Sequence, residues 1–254
     1  MVEENRKIAI VSGKGGIGKT TLAINLGYIL QNEFKINTVI VDCNFTTPHL
    51  CSNLGLYNFG LTLNHVLTEK ARIEEAIIEH PCGIKILPAS LELEDLKDVD
   101  VFKLSEKIDE LNFNILLDSA PGLGRESLAA ISAADEILFV TQPFSSAVID
   151  IYRCKKVAER LNKKILGVVV NAAKKTKYEL SEAEIEKLVE APVIETIPYD
   201  LEIEKATSFK LPLFVYNPRA KASKHFYSLA SKIYGIEIPR KETFFEKIRN
   251  LFRV

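Results

Sequence analysis

Directly after an apolar run, Ile8-Ala9-Ile10-Val11, and directly before a segment of helical period, the chain reads Gly13-Lys14-Gly15-Gly16-Ile17-Gly18-Lys19-Thr20. This is a complete G-x-x-x-x-G-K-T pattern, and every residue type in it answers a physical demand. Glycines let the loop curl until successive N–H groups point inward, making a cradle for an anion. The helix that follows, with Thr21 in its first turn, turns its positive end to the same point. Lys19 can reach β- and γ-phosphate oxygens, and the Thr20 hydroxyl can ligate Mg2+. Residues 13–21 are therefore the candidate phosphate site, with ATP or ADP and Mg2+ as the expected cofactors.

The rest of the chain suits such a loop. Further short apolar runs occur at Thr38–Val41, Ile84–Leu87, Asn114–Leu117, Ile137–Val140, Leu166–Val170 and Val193–Ile194. Runs rich in Ile and Val without alternation read as strands covered on both faces. Segments of helical period lie between them, at 20–32, 99–110, 145–161, 181–190 and 221–234. The alternation predicts an α/β fold: a doubly wound, mostly parallel sheet with helices on both faces, as in P-loop NTPases. Ligands of such sheets sit beyond the carboxyl ends of the strands. The 254 residues divide into one domain over 1–235 and a linker with a C-terminal amphipathic helix over 236–254.

Composition narrows the setting. Thirty-three basic against 34 acidic side chains give a net charge of -1, so no basic domain average speaks for nucleic acid. No window approaches the roughly 18 apolar residues of a membrane span. The opening MVEENRKIAIVSG is acidic and runs into a strand, which is not the pattern of a signal peptide. The expected location is the cytoplasm. Cys43, Cys51, Cys82 and Cys154 show no CxxC spacing and read as reduced thiols.

Lys14 sharpens the picture. A second lysine inside the loop, in the form KGGxGKT, resembles the deviant Walker A motif of the MinD/ParA ATPases. In that family the extra lysine reaches across a two-fold axis to the partner's phosphates, so the resemblance implies an ATP-dependent homodimer. It covers nearly the whole chain. Val39-Ile40-Val41-Asp42 is similar to the second strand with its switch I Asp, and Leu116-Leu117-Asp118-Ser119-Ala120-Pro121-Gly122 to Walker B with switch II. Asp118 ends an apolar strand, where a carboxylate can hold Mg2+ through water. The metal set implied is Thr20, Asp42 and Asp118. Gly122 offers an N–H to the γ-phosphate. Asn171 and Pro198 resemble the adenine-binding positions; an amide can read the adenine edge with one donor and one acceptor. A strand-end cap and a turn are the alternatives for these two.

Switch I departs from the family pattern. Hydrolysing members usually carry Asp-x-Asp, the second Asp positioning the attacking water, whereas this chain has Asp42-Cys43-Asn44. An amide can orient water but cannot take its proton. Slow hydrolysis is expected, with Lys14, Lys19, Asp42, Asn44 and Asp118 as the catalytic set. His49, in the following Phe45-Thr46-Thr47-Pro48-His49-Leu50, reads as a surface or interface residue rather than a base.

The tail carries its own signal. Thr243 and Glu246 form a capping box, and at about 100° per residue Phe244, Phe245, Ile248, Leu251 and Phe252 share an arc of roughly 120°. Lys247, Arg249 and Arg253 fall outside it. Such a basic amphipathic helix suits an anionic membrane surface, and in bacterial MinD proteins a tail of this kind targets the membrane. A reversible peripheral association with the inner face of the cell membrane is expected, along with an unidentified activator or cargo protein. The alternatives are a tail docked on its own domain, and a ParA-like DNA-binding ATPase using Lys155-Lys156, Lys163-Lys164, Lys174-Lys175-Lys177 and Arg219-Lys221-Lys224. An iron–sulfur carrier of the same superfamily lacks its cysteine pair here.

Overall fold

The computed structural model describes residues 5–237. The tail positions Phe244, Phe245, Lys247, Ile248, Arg249, Leu251, Phe252 and Arg253 lie outside the described residues. In chain order the elements are β1 (Lys7–Val11), α1 (Lys19–Tyr28), β2 (Thr38–Cys43), α2 (Leu50–Asn53), α3 (Leu63–Leu67), β3 (Ile78–Glu79), β4 (Lys85–Leu87), α4 (Leu104–Asp109), β5 (Asn114–Ser119), α5 (Arg125–Ala133), β6 (Glu136–Thr141), α6 (Ser145–Arg160), β7 (Lys164–Ala173), α7 (Glu182–Val189), β8 (Val193–Pro198), α8 (Leu201–Ser208), α9 (Leu213–Tyr216) and α10 (Lys221–Tyr234). The strands form one sheet in the order β3-β4-β2-β5-β1-β6-β7-β8. Every pairing is parallel except that of β3 with β4.

Period-two burial builds the two layers. Ile8, Ile10, Ile40, Leu116 and Leu138 point to the face covered by α1 and α10. Ala9, Val11, Val39, Val41, Ile115 and Leu117 point to the other, where α5, α6 and α7 pack. Both faces are sealed, as the unbroken Ile/Val runs require. The central strand β1 lies between β5 and β6, and chain order reverses there. Its carboxyl end is the crevice from which the glycine loop emerges.

Three helical expectations hold within a residue: 145–161, 181–190 and 221–234. Two differ in winding. The 20–32 segment is α1 followed by a π-helical turn, Ile29–Glu33, whose last bond runs from Phe34 N to Ile29 O at 3.0 Å. The 99–110 segment opens as a 3-10 turn, Val101–Lys103, capped by Asp100, before α4 begins. Helix α5 gave little periodic signal because its buried face is Ser127, Ala129, Ala130, Ile131 and Ala133. Among these, only Ile131 is a large apolar residue.

At the amino ends of the strands a charged network closes the sheet. Arg6 pairs with Glu136 at 2.6 Å and donates to Ile233 O, in the last turn of α10, at 2.6 Å. Its guanidinium also stacks on the Tyr234 ring, 4.6 Å from the centroid. Lys164 binds the other oxygen of Glu136 at 2.7 Å.

Phe139, on β6, is among the largest fully buried side chains. Phe139→Ala is expected to lower stability by about 3–5 kcal/mol, the cost of a cavity in a core that cannot collapse. Urea unfolding of the nucleotide-free protein measures it.

Candidate nucleotide site

Strand β1 hands over to the loop at Ser12, which is fully buried. The first glycine is required because α6 packs straight onto the loop: a Cβ on Gly13 would lie 2.1 Å from Asp150 Cβ. Gly18 caps α1 in the left-handed region at φ 101. A Cβ there would sit 2.3 Å from Asn171 Nδ2.

Ser12 is the hub of the loop. Lys19 Nζ donates to its Oγ at 2.9 Å, and that hydroxyl donates to Lys14 O at 2.7 Å. Gly122 N donates to Ser12 O at 3.0 Å. Burial lowers the Lys19 pKa, opposed by the nearby Asp118 carboxylate. Lys14 is half-exposed, and its ammonium pairs with Asp150 on α6 at 3.5 Å. In this chain, then, the second lysine has a partner in its own protomer.

Asp42 and Asp118 are register partners on β2 and β5. Both are buried, 1% and 2% exposed. Asp42 accepts from Asn44 N at 3.0 Å and Leu50 N at 3.2 Å. Burial raises both pKa values, and the like charge of Asp118 pushes Asp42 further. The Thr20 side chain and Lys19, beside Asp118, hold it down in part. Asp118 Oδ1 is buried with no hydrogen-bond partner among the described residues. A sequestered carboxylate pair with an orphaned oxygen, next to the Thr20 hydroxyl, fits the hydration shell of a divalent cation.

Over the loop lies a cavity of about 450 Å³. One wall is Gly15, Gly16 and Gly18 to Thr21; the other is Asn44, Thr47 and His49, with Ser119 and Pro121 between. His49 is exposed, and its ring bonds no described residue. The Asn44 side chain is engaged inside its own loop: its Nδ2 donates to Thr47 O, and Thr47 Oγ1 donates to its Oδ1 at 3.2 Å.

Asn171 reaches the loop, donating from Nδ2 to Ile17 O at 2.7 Å. That bond fixes the amide's orientation and leaves its oxygen and second N–H without a partner among the described residues. Pro198 ends β8 beside Ala173, but it lines a separate cavity of about 260 Å³ with Lys175, Glu195 and His225. Several lysine runs are locally neutralised. Lys155 and Lys156 pair with Glu159 and Glu190, and Lys164 with Glu136. Lys163 donates to Ser132 O at 2.7 Å, and Lys174 lies over the Tyr199 ring.

Sequence reasoning missed Ser12 and Asp150, and it quoted Thr47, Ser119 and Pro121 within their motifs without giving them a place in the site. Ser12 adjoins the phosphate loop and was within reach of inspection. Asp150 carries no local signal, being 136 residues from Lys14 in the chain and joined to it only by the fold.

Loop, crevice and carboxylate pair together define a P-loop protein built to hold a nucleotide. Residues 8–213 match the CobQ/CobB/MinD/ParA nucleotide binding domain. An uncharacterized ATP-binding protein of Methanocaldococcus jannaschii is 35% identical, with 96% of each chain covered. The cell division ATPase MinD of Pyrococcus furiosus superposes with a TM-score of 0.87 at 32% identity, covering 92% of this chain and 100% of that one. The septum site-determining protein MinD of Pyrococcus horikoshii, complexed with Mg-ADP, gives 0.86 at 30% identity, covering 90% and 96%. This chain belongs to the MinD/ParA family of nucleotide-binding proteins.

The carboxylate pair makes a linkage prediction. Because the folded pKa values of Asp42 and Asp118 lie above the ordinary 3.8, the folded state binds protons that the unfolded chain releases. Stability from this source is complete below about pH 4 and is lost as pH rises through the folded values. Asp118→Asn removes the like-charge term. Without nucleotide, its melting temperature should exceed that of the wild type by a margin that widens between about pH 5 and about pH 8. Scanning calorimetry at several pH values measures that margin.

Proposed function

We propose that this chain is a slow, ATP-switched ATPase of spatial positioning, of the MinD type. ATP–Mg2+ draws two copies together, the dimer binds an anionic membrane surface through two C-terminal helices, and hydrolysis releases it. The observation that carries this is Lys14 inside an otherwise complete phosphate loop, beside Asp150 and exposed enough to leave it. Lys19, Thr20 and the loop N–H groups hold the phosphates, and Thr20, Asp42 and Asp118 are the metal residues. Bound Mg2+ would neutralise charge on the phosphate oxygens.

In this assignment the ligand would compete with contacts these groups make to one another. Lys19 leaves Ser12 for the phosphate, and Gly122 N leaves Ser12 O for the γ-phosphate. Lys14 exchanges Asp150 for the phosphates of the partner. Asn171 keeps its bond to Ile17 O and offers its oxygen to the adenine amine, with Pro198 close by at the strand ends. Asn44 lines the cavity but carries no charge and is bound to Thr47, which supports slow turnover.

One short helix binds membrane weakly, but two on a dimer multiply the effect through effective concentration. No helix of the described residues is long and apolar enough to cross a membrane; the association proposed is peripheral and uses the tail.

Two experiments test the assignment. Sedimentation with anionic liposomes should show pelleting in ATP–Mg2+ but not in ADP or without nucleotide, and a chain truncated after Ile238 should stay in the supernatant. Pelleting that ignores nucleotide, or survives truncation, would refute the switch. Separately, Asn44→Asp should raise ATP turnover by about a hundredfold, the lower end of what a positioned base contributes. A steady-state phosphate-release assay reads it.

A further inference from the structure

Two loops flank the candidate site: the one after β2, with Asn44, and the one after β5, with Gly122. Among the described residues one group joins them by hydrogen bonds. Glu126, in the first turn of α5 and four residues beyond Gly122, accepts at Oε1 from both donors of Thr46. The Thr46 N–H lies at 3.0 Å, and its hydroxyl donates to the same oxygen. A charged acceptor holding a main-chain and a side-chain donor of one residue is a strong restraint on that residue's backbone.

The restrained residue matters because of its neighbours. Asn44 and Thr47 bond each other through both polar ends of the Asn44 side chain, and both line the cavity over the phosphate loop. Thr46 lies between them in the chain and is absent from that wall, as is Glu126. The clasp therefore fixes the turn from behind and touches nothing in the cavity. The loop itself carries no carboxylate between Asp42 and Leu50. One reaches it from α5, whose start is tied through Gly124 to the segment that carries Gly122.

We propose that Glu126 is a positioning residue for ATP hydrolysis. By holding Thr46 it sets the Asn44–Thr47 turn against the cavity, and it couples that turn to the segment bearing Gly122. This rests on the ATPase assignment made above, which it deepens. Because Glu126 lies outside the phosphate cradle, its loss should affect turnover rather than nucleotide capture.

The test uses the full chain with ATP and Mg2+. Glu126→Ala and Thr46→Val should each lower kcat by at least about tenfold, as small misplacements of a reacting group do. KM for ATP should stay within about twofold. Thr46→Ser keeps both donors and should recover most of the loss seen in Thr46→Val. The double variant should be no slower than Glu126→Ala alone, since both remove one interaction. Without nucleotide, amide hydrogen exchange over residues 44–49 should be faster in Glu126→Ala than in the wild type. Unchanged exchange there would overturn the clasp. Faster exchange with unchanged or higher kcat would overturn its positioning role. A wild type that binds ATP without turning it over would instead refute the ATPase assignment, a result distinguishable from both.

Discussion

Asp42 and Asp118 stand side by side because β2 and β5 are parallel and in register, and both strands end at the same height. Neither side chain can turn to water, so the sheet holds two acids where electrostatics favours one charge at most. The surroundings answer this repulsion. Backbone N–H groups of Asn44 and Leu50 turn toward Asp42, and Lys19 is drawn down the first turn of α1 toward Asp118. The switch I loop is thereby anchored at its base. A packed apolar pair would be more stable, and it would leave nothing to attract a cation. Stability here is set below its attainable maximum at the point where a ligand would restore it.

The same economy governs the loop. Ser12 collects the donors of Lys19 and Gly122 and passes its own proton to Lys14 O. Lys14 settles on Asp150. Each of these groups has a partner within the loop region, and a bound phosphate would draw on the same donors. A ligand competing for them gains the difference between the bonds made and the bonds given up, not the full strength of either.

How much of this could be read from residues alone depends on the range of the interaction. The phosphate loop, strands β1, β2, β5 and β6, and helices α6, α7 and α10 were legible because glycine spacing, continuous Ile/Val runs and helical period are local. Helix α5 was not, since a stripe of alanine and serine leaves little contrast between its faces. The π-helical turn after α1 was not, because the hydrophobic pattern runs on across it. Asp150 as the partner of Lys14 and Glu126 as the partner of Thr46 join residues far apart in sequence. Only the strand order makes them neighbours. Pro198 was placed near the adenine by resemblance alone; the structure puts it at the end of β8, lining the cavity that also holds Lys175, Glu195 and His225.

The Arg6 network at the amino ends of the strands has a geometric consequence. It holds the end of α10 at the start of β1, so the chain passes Glu237 at the pole of the sheet opposite the glycine loop. A strand of five residues spans roughly 17 Å, so the full length of β1 separates Glu237 from Ser12, where the phosphate loop begins. In the proposed switch, two copies joined through Lys14 would meet at one pole of the sheet, while the described part of each chain ends at the other.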